Sequence, residues 1–364
     1  MIQFFAPIND LGYGVFSYNL MLAFHENVRK DIALFPMPLT PDFSNPTVDH
    51  WIENGKQFSR QQPSILIFQG PWMNRFSGSP MIGLPIFELD VVPDYDLHLF
   101  KSLDGMMQPS HWGKRVLESH GVPRVQVVPG GYDPSAFFPQ MKLEQKMERI
   151  QKQGVSFVHV GKWEPRKSSE EILRCFVRAT ADPATRANLL FHVCNPFDPK
   201  WLEPIQAMLL KQGFTQNGMH FVRDNARVLV PQERFPKDTH KLYHMGEFGI
   251  WASKAEGWNL PLLECLACGL PCLTTRNTAH ADFLSPDIYP EPLILSTNAK
   301  EPTRDGGVWW PIDEEQLTQK IQQMIADPLK HLLLEPQCLA SVKDFTWKNA
   351  ALKLKDALAA FGVS

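Results

Sequence analysis

Residues 253–275 read SKAEGWNLPLLECLACGLPCLTT, and this stretch decides the predicted fold. The segment before it, Glu247–Ala252, is an apolar run typical of a short buried strand. From Pro261 onward the apolar residues have helical spacing, and Gly269 is suited to end the helix. A proline is tolerated in the first helical turn because its missing N–H has no partner there. The stretch therefore predicts a strand, a loop and a helix.

The loop and the first helical turn predict a binding site for a phosphate. The backbone amides of Asn259 and Leu260, next to Gly257, lie at the positive end of the helix dipole, which favours an anion. Glu264, one turn into the helix, is placed to accept hydrogen bonds from the two hydroxyls of a ribose. Glu256, in the loop, is placed to reach hydroxyls beyond the phosphate. A nucleotide sugar combines these features.

The pattern E-G-W-N-L-P-L-L-E-x-L-A-x-G-L-P, from Glu256 to Pro271, resembles the E-x7-E signature of family-4 retaining glycosyltransferases of the GT-B fold. Its two glutamates, glycine, proline and terminal Gly-x-Pro stand in a fixed register, which makes the pattern specific. The resemblance implies an α/β protein with two Rossmann-like domains facing each other across a cleft. The alternative is an ordinary strand–helix crossover whose two glutamates are solvated.

Composition and charge limit the class of protein. A chain of 364 residues with 44% hydrophobic and 21% charged residues suggests about two globular domains. The net charge of −3 gives no general attraction to nucleic acid or an anionic membrane, although a local basic groove remains open. The start, MIQFFAPIND, does not resemble a signal peptide, and no apolar run is long enough to span a bilayer. We therefore expect a cytoplasmic protein, at most resting on a membrane surface.

Three cysteines, Cys265, Cys268 and Cys272, form a C-x2-C-x3-C pattern. A structural zinc ion normally needs four Cys or His ligands, and no fourth is spaced nearby. Because Cys265 and Cys268 fall where the predicted helix takes small apolar residues, we expect buried thiols and no metal site.

A second block of the resemblance lies at the start of the chain. Ile2–Ile8 reads as a buried strand, followed by a turn with Gly12 and Gly14 and then a helical apolar pattern. Glycines there let backbone amides approach a phosphate closely, although a Gly-x-Gly alone is weak evidence. Family-4 enzymes have such a loop, so the resemblance places both glycines near the donor diphosphate or the acceptor.

Glu88 and Asp90 follow an apolar run that reads as a strand through Phe87. Chemistry gathers where parallel strands end, so these two acids are candidate catalytic residues. Many family-4 enzymes have a histidine in this region, whereas FELD resembles the F-E-T-D variant of one branch. The resemblance therefore assigns no catalytic histidine to this chain. The alternative is that both acids only cap the loop after a strand.

Two further blocks complete the resemblance. Residues 103–139 contain P-S-H-W, G-V-P and G-G-Y-D in the family's order, with Ser110 expected to cap a helix that begins near His111. After a charged segment that reads as a linker, 141–153, the loop GKWEPRK resembles the family's G-[RK]-x4-K element. Lys162 and Lys167 fill its two basic positions and are implied to bind the donor diphosphate, so that no metal ion or other cofactor is needed.

The sequence thus predicts an N-terminal acceptor domain over 1–140, a nucleotide-sugar-binding domain over 141–344 and a returning C-terminal helix over 345–364. The predicted function is transfer of a sugar from a UDP- or GDP-linked donor to a hydroxyl of a glycan or lipid-linked saccharide, and the resemblance implies that the transfer is retaining. Alternatives are the same reaction on a modified DNA base, a sugar-nucleotide epimerase, and a non-catalytic nucleotide-sugar-binding protein. The sugar, the acceptor and the oligomeric state stay open.

Overall fold

The computed structural model of the chain describes residues 1–37, 45–232, 238–304 and 306–363. Most strands of these residues lie in two sheets that follow one another along the chain. The first sheet has six strands in the order β2-β1-β3-β4-β5-β6, all parallel. These strands are β1 (Ile2–Pro7), β2 (Ile32–Met37), β3 (Ser64–Phe68), β4 (Met81–Pro85), β5 (Gly105–Gln108) and β6 (Val125–Val127).

Most residues of these strands are buried, and the strands read as continuous apolar runs, as in a parallel sheet covered on both faces. The predicted strands at Ile2–Ile8 and Ser64–Gly70 are confirmed, and the strand expected through Phe87 ends earlier, at Pro85. The helices of this region are α1 (Gly12–Asn27), α2 (Pro46–Gly55), α3 (Asp94–Lys101) and α4 (His111–Ser119). The side chain of Ser110 accepts a hydrogen bond from Gly113 N–H at 3.0 Å, which confirms the predicted cap of α4.

Residues 141–153 are not the linker that the sequence suggested. They contain helix α5 (Leu143–Gln153), two of whose basic side chains pair with residues much further along the chain. The Lys146 ammonium lies 2.7 Å from Glu335, and Arg149 forms an ion pair with Glu247. Two of the charges that suggested a solvated linker are therefore paired by packing, whereas Lys152 pairs with Glu148 on the exposed face of the helix.

The second sheet has seven strands in the order β13-β12-β7-β8-β11-β10-β9. Its neighbours are parallel from β13 to β11, and antiparallel between β11 and β10 and between β10 and β9. The sequence did not predict this antiparallel edge. The strands are β7 (Val155–Lys162), β8 (Ala187–Cys194), β9 (Thr215–Asn217), β10 (His220–Arg223), β11 (Ala226–Leu229), β12 (Phe248–Trp251) and β13 (Cys272–Thr274).

The remaining elements surround this sheet or return to the first one. A two-stranded hairpin joins β14 (Glu301–Pro302) and β15 (Val308–Trp309). The last helix packs on α1 and contacts β6, which brings the end of the chain back to the first sheet. The domain limits drawn at 140 and 344 stay predictions. The helices are α6 (Ser169–Ala179), α7 (Leu202–Lys211), α8 (His240–Tyr243), α9 (Leu260–Ala267), α10 (Glu314–Ala326), α11 (Pro328–Leu332), α12 (Glu335–Val342) and α13 (Trp347–Ala360).

Strands β7 and β12 are neighbours although four other strands of the sheet lie between them in sequence. The chain runs from β7 to one side of the sheet and later returns to β12 on the other side. Such a switch point opens a crevice at the carboxyl ends of the two strands, where open α/β sheets bind ligands. The GKWEPRK segment begins with the last two residues of β7 and continues into the loop after it, and the loop containing Glu256 follows β12. The fold therefore brings the two sequence motifs together.

Three cysteines of the C-x2-C-x3-C pattern are buried, as expected, and Cys272 Sγ lies 3.6 Å from Cys265 Sγ. Among the described residues, no group of three or more His, Cys, Asp or Glu side chains is arranged to hold a metal ion. No helix in the described part of the chain has the length and apolar character needed to cross a membrane.

Candidate functional site

The loop between β12 and α9 has the predicted strand–loop–helix form. Asn259 occupies the position before the helix with φ of 77°, and its side chain accepts a hydrogen bond from Leu262 N–H at 3.4 Å. The helix begins at Leu260, so Pro261 stands in its first turn as expected. Gly269 has φ of 75° just after the helix and confirms the predicted end. The start of α9 therefore lies at the crevice with Leu260 in its first turn.

Glu256 is the most densely paired side chain of the crevice and is only 3% exposed. Lys167 Nζ donates to both carboxylate oxygens, at 2.6 and 2.7 Å, and Arg166 donates to Oε2 at 3.0 Å. Ser253 Oγ donates to Oε1 at 2.6 Å. Thr278 Oγ1 accepts the Glu256 backbone N–H at 2.7 Å. This carboxylate is therefore held in one orientation by both motif loops.

These cations also decide the protonation of Glu256. Burial by itself would raise the pKa of Glu256, but the charges of Lys167 and Arg166 lower it to about 2. Nearby His280 is buried, and desolvation lowers its pKa to about 4. Its Nδ1 lies 3.3 Å from the side-chain nitrogen of Asn259, so the ring supports the loop as a neutral group. At neutral pH, Glu256 is ionised and His280 is uncharged.

Glu264 has the opposite environment. Its carboxylate is buried on α9 and accepts a hydrogen bond from the Tyr243 hydroxyl at 2.9 Å. Burial raises the pKa of Glu264 to about 7, and the bond from Tyr243 offsets only part of that effect. Hydrogen bonds donated by the hydroxyls of a ligand would stabilise the ionised form of a carboxylate that no cation stabilises. The two glutamates of the signature therefore differ in charge state near neutral pH.

The basic loop after β7 presents three cations in different settings. Lys162, the last residue of β7, lies 2.6 Å from Glu164, and at 35% its side chain is the most exposed of the three. The Lys167 ammonium is 14% exposed and is bound by Glu256. Arg166 lies between the two loops, where its guanidinium also contacts Glu164 at 2.7 Å. The two lysines predicted to bind an anion thus each have a carboxylate partner in this structure.

Glu88 and Asp90 reach across from the first α/β unit, which is the six-stranded sheet with its helices, to the second, which is the seven-stranded sheet with its helices. Glu88 forms an ion pair with Arg166 at 3.3 Å. Asp90 Oδ1 accepts a hydrogen bond from the backbone N–H of Val308, in the β14–β15 hairpin, at 3.0 Å. A third contact of this kind joins Asp282 to the N–H of His111, the first residue of α4, at 2.6 Å. The two acids of FELD therefore hold the two units together in this structure, and Glu88 also lies beside the Glu256 cluster.

The glycines of the first loop occupy unequal positions. Gly12 is exposed at the start of α1, and a Cβ there would meet no atom within 4 Å. Gly14 is buried, and a Cβ there would overlap the backbone of Asn9, so its small size is needed for packing. Between them, the Tyr13 hydroxyl donates to Ile86 O at 3.0 Å, next to FELD. Gly12 therefore faces open space, whereas Gly14 packs against the backbone of Asn9.

Gly257 is a point of close approach between the two units. A Cβ on Gly257 would lie 2.7 Å from Ile86 Cγ2 and 3.0 Å from Phe87 O. We expect Gly257→Ala to force the units apart and to destabilise the closed arrangement by about 1–3 kcal/mol. Small-angle X-ray scattering should show a larger radius of gyration than for the wild type. Gly12→Ala is the control, since the added methyl group would meet no atom within 4 Å. Equal scattering curves for the two variants would contradict this explanation.

The structure brings together Glu256, Lys167, Lys162 and Glu88, with Gly257, Asn259, Leu260 and Glu264 on the same loop and helix. Asp90 lies at the rim, on the hairpin. Sequence patterns indicated no role for Arg166, Glu164 or Tyr243, which hold the predicted residues in place. For Arg166 a signal existed, because it directly precedes Lys167. For Tyr243, 21 positions before its partner, no local pattern indicates the contact.

Comparisons with known proteins agree with this architecture. No protein-family model matches the chain. O-antigen chain mannosyltransferase B of Escherichia coli is 21% identical over 192 residues, which are 53% of this chain and 42% of that protein. The sucrose-phosphate synthase of Thermosynechococcus elongatus superposes with a TM-score of 0.69 at 14% identity, over 98% of each chain.

Two other solved structures cover almost the whole chain. HepE of Anabaena, in complex with UDP and glucose, has a TM-score of 0.67 at 12% identity and is matched over 99% of its length and 98% of this chain. WaaG, described as a glycosyltransferase involved in lipopolysaccharide biosynthesis, has a TM-score of 0.62 at 14% identity over 100% of both chains. Identities this low establish the fold alone. The predicted fold class is confirmed: the chain has the GT-B fold.

Proposed function

We propose that this protein is a retaining glycosyltransferase that moves a sugar from a nucleoside-diphosphate donor to a hydroxyl acceptor. The observation that carries this proposal is the Glu256–Lys167 ion pair at the switch point, with Glu264 one helical turn further on. Glu256 is a carboxylate paired with a cation, Lys167, whereas the carboxylate of Glu264 is bound by the neutral hydroxyl of Tyr243. A nucleotide sugar has a part for each: a diphosphate, sugar hydroxyls and ribose hydroxyls. The bound UDP and glucose in HepE agree with this assignment.

The diphosphate leaves with more negative charge than it carries in the intact donor, so groups that stabilise it lower the barrier. In our proposal Lys162 and Lys167 supply two positive charges, and the start of α9 supplies amides near Asn259 and Leu260. Gly12 leaves room for the donor at the start of α1. Charge neutralisation by the two lysines makes a metal ion unnecessary for the proposed reaction. Each well-placed group of this kind contributes roughly 2.7–4 kcal/mol in comparable sites.

Donor binding requires one exchange of partners. Lys167 is bound to Glu256 in this structure, at 2.6 Å, and must turn from the carboxylate to the diphosphate. The exchange releases carboxylate oxygens of Glu256, which then accept hydrogen bonds from sugar hydroxyls. Glu264 accepts the ribose hydroxyls in the same way. The site is thus charge-balanced before the donor arrives and rearranges into a complementary site when it binds.

The bond changes of the proposed reaction need no protein nucleophile. The bond between the anomeric carbon and the diphosphate oxygen breaks, and the acceptor oxygen forms a bond to the same face of that carbon. The acceptor's proton passes to the departing diphosphate, which carries the developing negative charge. Closure of the two units, held by the contacts of Glu88 and Asp90, excludes water that would otherwise hydrolyse the donor.

A thermal-shift screen of UDP-, GDP-, ADP- and CMP-linked sugars in the presence of EDTA tests the proposal. A ligand that binds the folded state raises the unfolding temperature with the logarithm of its occupancy. We expect one nucleotide class to stabilise the protein selectively, and the stabilising donor to be consumed slowly by hydrolysis when no acceptor is present. Absence of stabilisation by all four classes, or stabilisation only with an added divalent metal, would contradict the proposal. Conversion of the donor into an epimer would identify a sugar-nucleotide epimerase instead.

A further inference from the structure

Arg166 is the residue of the crevice whose position the proposed function does not yet explain. It precedes Lys167, yet its terminal nitrogens face protein acceptors. One of them donates to Ala255 O at 2.7 Å and to Glu256 Oε2 at 3.0 Å. The other lies 2.7 Å from Glu164 and 3.3 Å from Glu88. Because these nitrogens already contact four oxygen atoms, they are poorly placed to bind a phosphate as well.

The side chain of Arg166 is 15% exposed, between three carboxylates that come from different parts of the chain. Burial alone would favour loss of its charge, but Glu88, Glu256 and Glu164 raise the pKa of Arg166 far above the usual range. The guanidinium is therefore a permanent positive charge. Lysine could not replace it fully, since only a planar fork reaches several acceptors in fixed directions.

The exchange of partners at Lys167 creates a need for such a charge. When Lys167 turns to the diphosphate, Glu256 loses the cation that contacts both of its oxygens. A buried carboxylate left without a cation is strongly destabilised and takes up a proton instead. Ser253 alone, a neutral donor to Oε1, cannot offset this loss. Arg166 is the cation that can remain on Oε2 throughout.

We propose that Arg166 is a positioning residue that keeps Glu256 ionised and oriented after Lys167 has moved to the donor diphosphate, and that links Glu256 to Glu88 on the first α/β unit. This inference rests on the proposed function, because it needs a diphosphate that competes for Lys167. The ionisable groups nearest Glu256 are Lys167 and Arg166, with the buried imidazoles of His280 and His159 behind them. Both imidazoles are neutral at neutral pH, since burial lowers the pKa of each to about 4. They therefore supply no replacement charge.

Calorimetric titration of the whole chain with UDP and with GDP at pH 8 tests this role. Titrations in HEPES and in Tris, which differ in ionisation enthalpy, reveal the number of protons taken up on binding. We expect Arg166→Gln to weaken binding about 100-fold and to take up about one more proton than the wild type, because Glu256 must then bind a proton when Lys167 leaves. At pH 8, Glu264 is already ionised and adds little to this difference.

Two further variants make the result specific. Arg166→Lys retains the charge without the fork, so we expect weaker binding with little extra proton uptake. Arg149→Lys is the matched control: Arg149 is another buried arginine bound to a glutamate, Glu247, and to the backbone carbonyls of His244 and Gly246. These partners lie at the opposite end of β12 from the site. We expect this control to bind the nucleotide as the wild type does.

Each outcome bears on one of the two proposals. Wild-type affinity in Arg166→Gln, or weaker binding without additional proton uptake, would overturn the positioning role. The second result would instead make Arg166 a direct phosphate ligand. If Arg166→Gln does not fold, Arg166→Lys decides, and unchanged binding by it would count against the role of the fork. Failure of the wild type to bind either nucleotide would remove this inference together with the choice of donor.

Discussion

Replacing Lys167 with alanine should lower kcat, measured with saturating donor, by about 10²–10³-fold, while the protein stays folded. The reason is that Lys167 is the most buried cation that an incoming diphosphate can reach, and its charge acts in a crevice with little water. The fold should survive because Glu256 keeps its contacts with Arg166 and Ser253 in the variant. Turnover of the donor identified by the thermal-shift screen, followed by release of the nucleoside diphosphate, provides the measurement.

Lys146→Ala is the matched control for this experiment. Lys146 is also a buried lysine with a glutamate partner, Glu335, at 2.7 Å, but it lies on α5, outside the two motif loops. Its loss should lower the unfolding temperature while leaving kcat close to that of the wild type at temperatures where the variant is folded. Equal losses of kcat in both variants would mean that destabilisation explains the effect. Near-normal turnover in Lys167→Ala would remove Lys167 from the proposed mechanism.

Local patterns predicted the elements of the fold well where a local cause exists. Ser110 caps α4 because its side chain reaches an amide three residues away, and Pro261 and Gly269 mark the two ends of α9. These signals act within one helical turn, so they can be read from the sequence. The prediction that two α/β units face each other came from the resemblance of the paired-glutamate stretch to GT-B glycosyltransferases, because no local pattern indicates that arrangement.

Contacts between distant residues explain what could not be predicted. Residues 141–153 read as a linker because the partners of Lys146 and Arg149 lie 189 and 98 positions away. Glu88 and Asp90 read as candidate catalytic acids, and their contacts with Arg166 and Val308 become visible only when the two units face each other. The sequence could nominate Glu256 and Lys167 separately, but their ion pair spans 89 positions and required the structure.

Glu264→Gln should change stability and nucleotide binding in opposite directions. Burial raises the pKa of Glu264 in the folded protein to about 7, from an ordinary value of 4.5, so the protonated carboxyl is favoured in the folded state. Below about pH 4.5 the carboxyl is protonated in both states, so its burial does not lower the free energy of unfolding. As the pH rises from there through 7, the free energy of unfolding falls, because the buried carboxyl must ionise. A difference of one unit between the folded and unfolded pKa corresponds to about 1.4 kcal/mol. The variant, which cannot ionise, should therefore be more stable than the wild type by up to about 3 kcal/mol at pH 8. Near pH 4.5 the two proteins should unfold alike.

The same substitution should weaken binding of the nucleoside diphosphate by about 10–100-fold, because hydrogen bonds from ribose hydroxyls to an ionised carboxylate are stronger than those to an amide. Urea unfolding at pH 5 and pH 8, together with calorimetry, measures both effects. Glu247→Gln is the control: Glu247 is also buried but is bound by Arg149 and by Ser156 N–H at the opposite end of β12, so its loss should leave nucleotide binding unchanged. A carboxylate that serves only the fold would resemble Glu247. A buried carboxylate whose removal stabilises the protein and impairs binding is retained for its ligand, and a Glu264→Gln variant that bound the nucleotide normally would exclude that role.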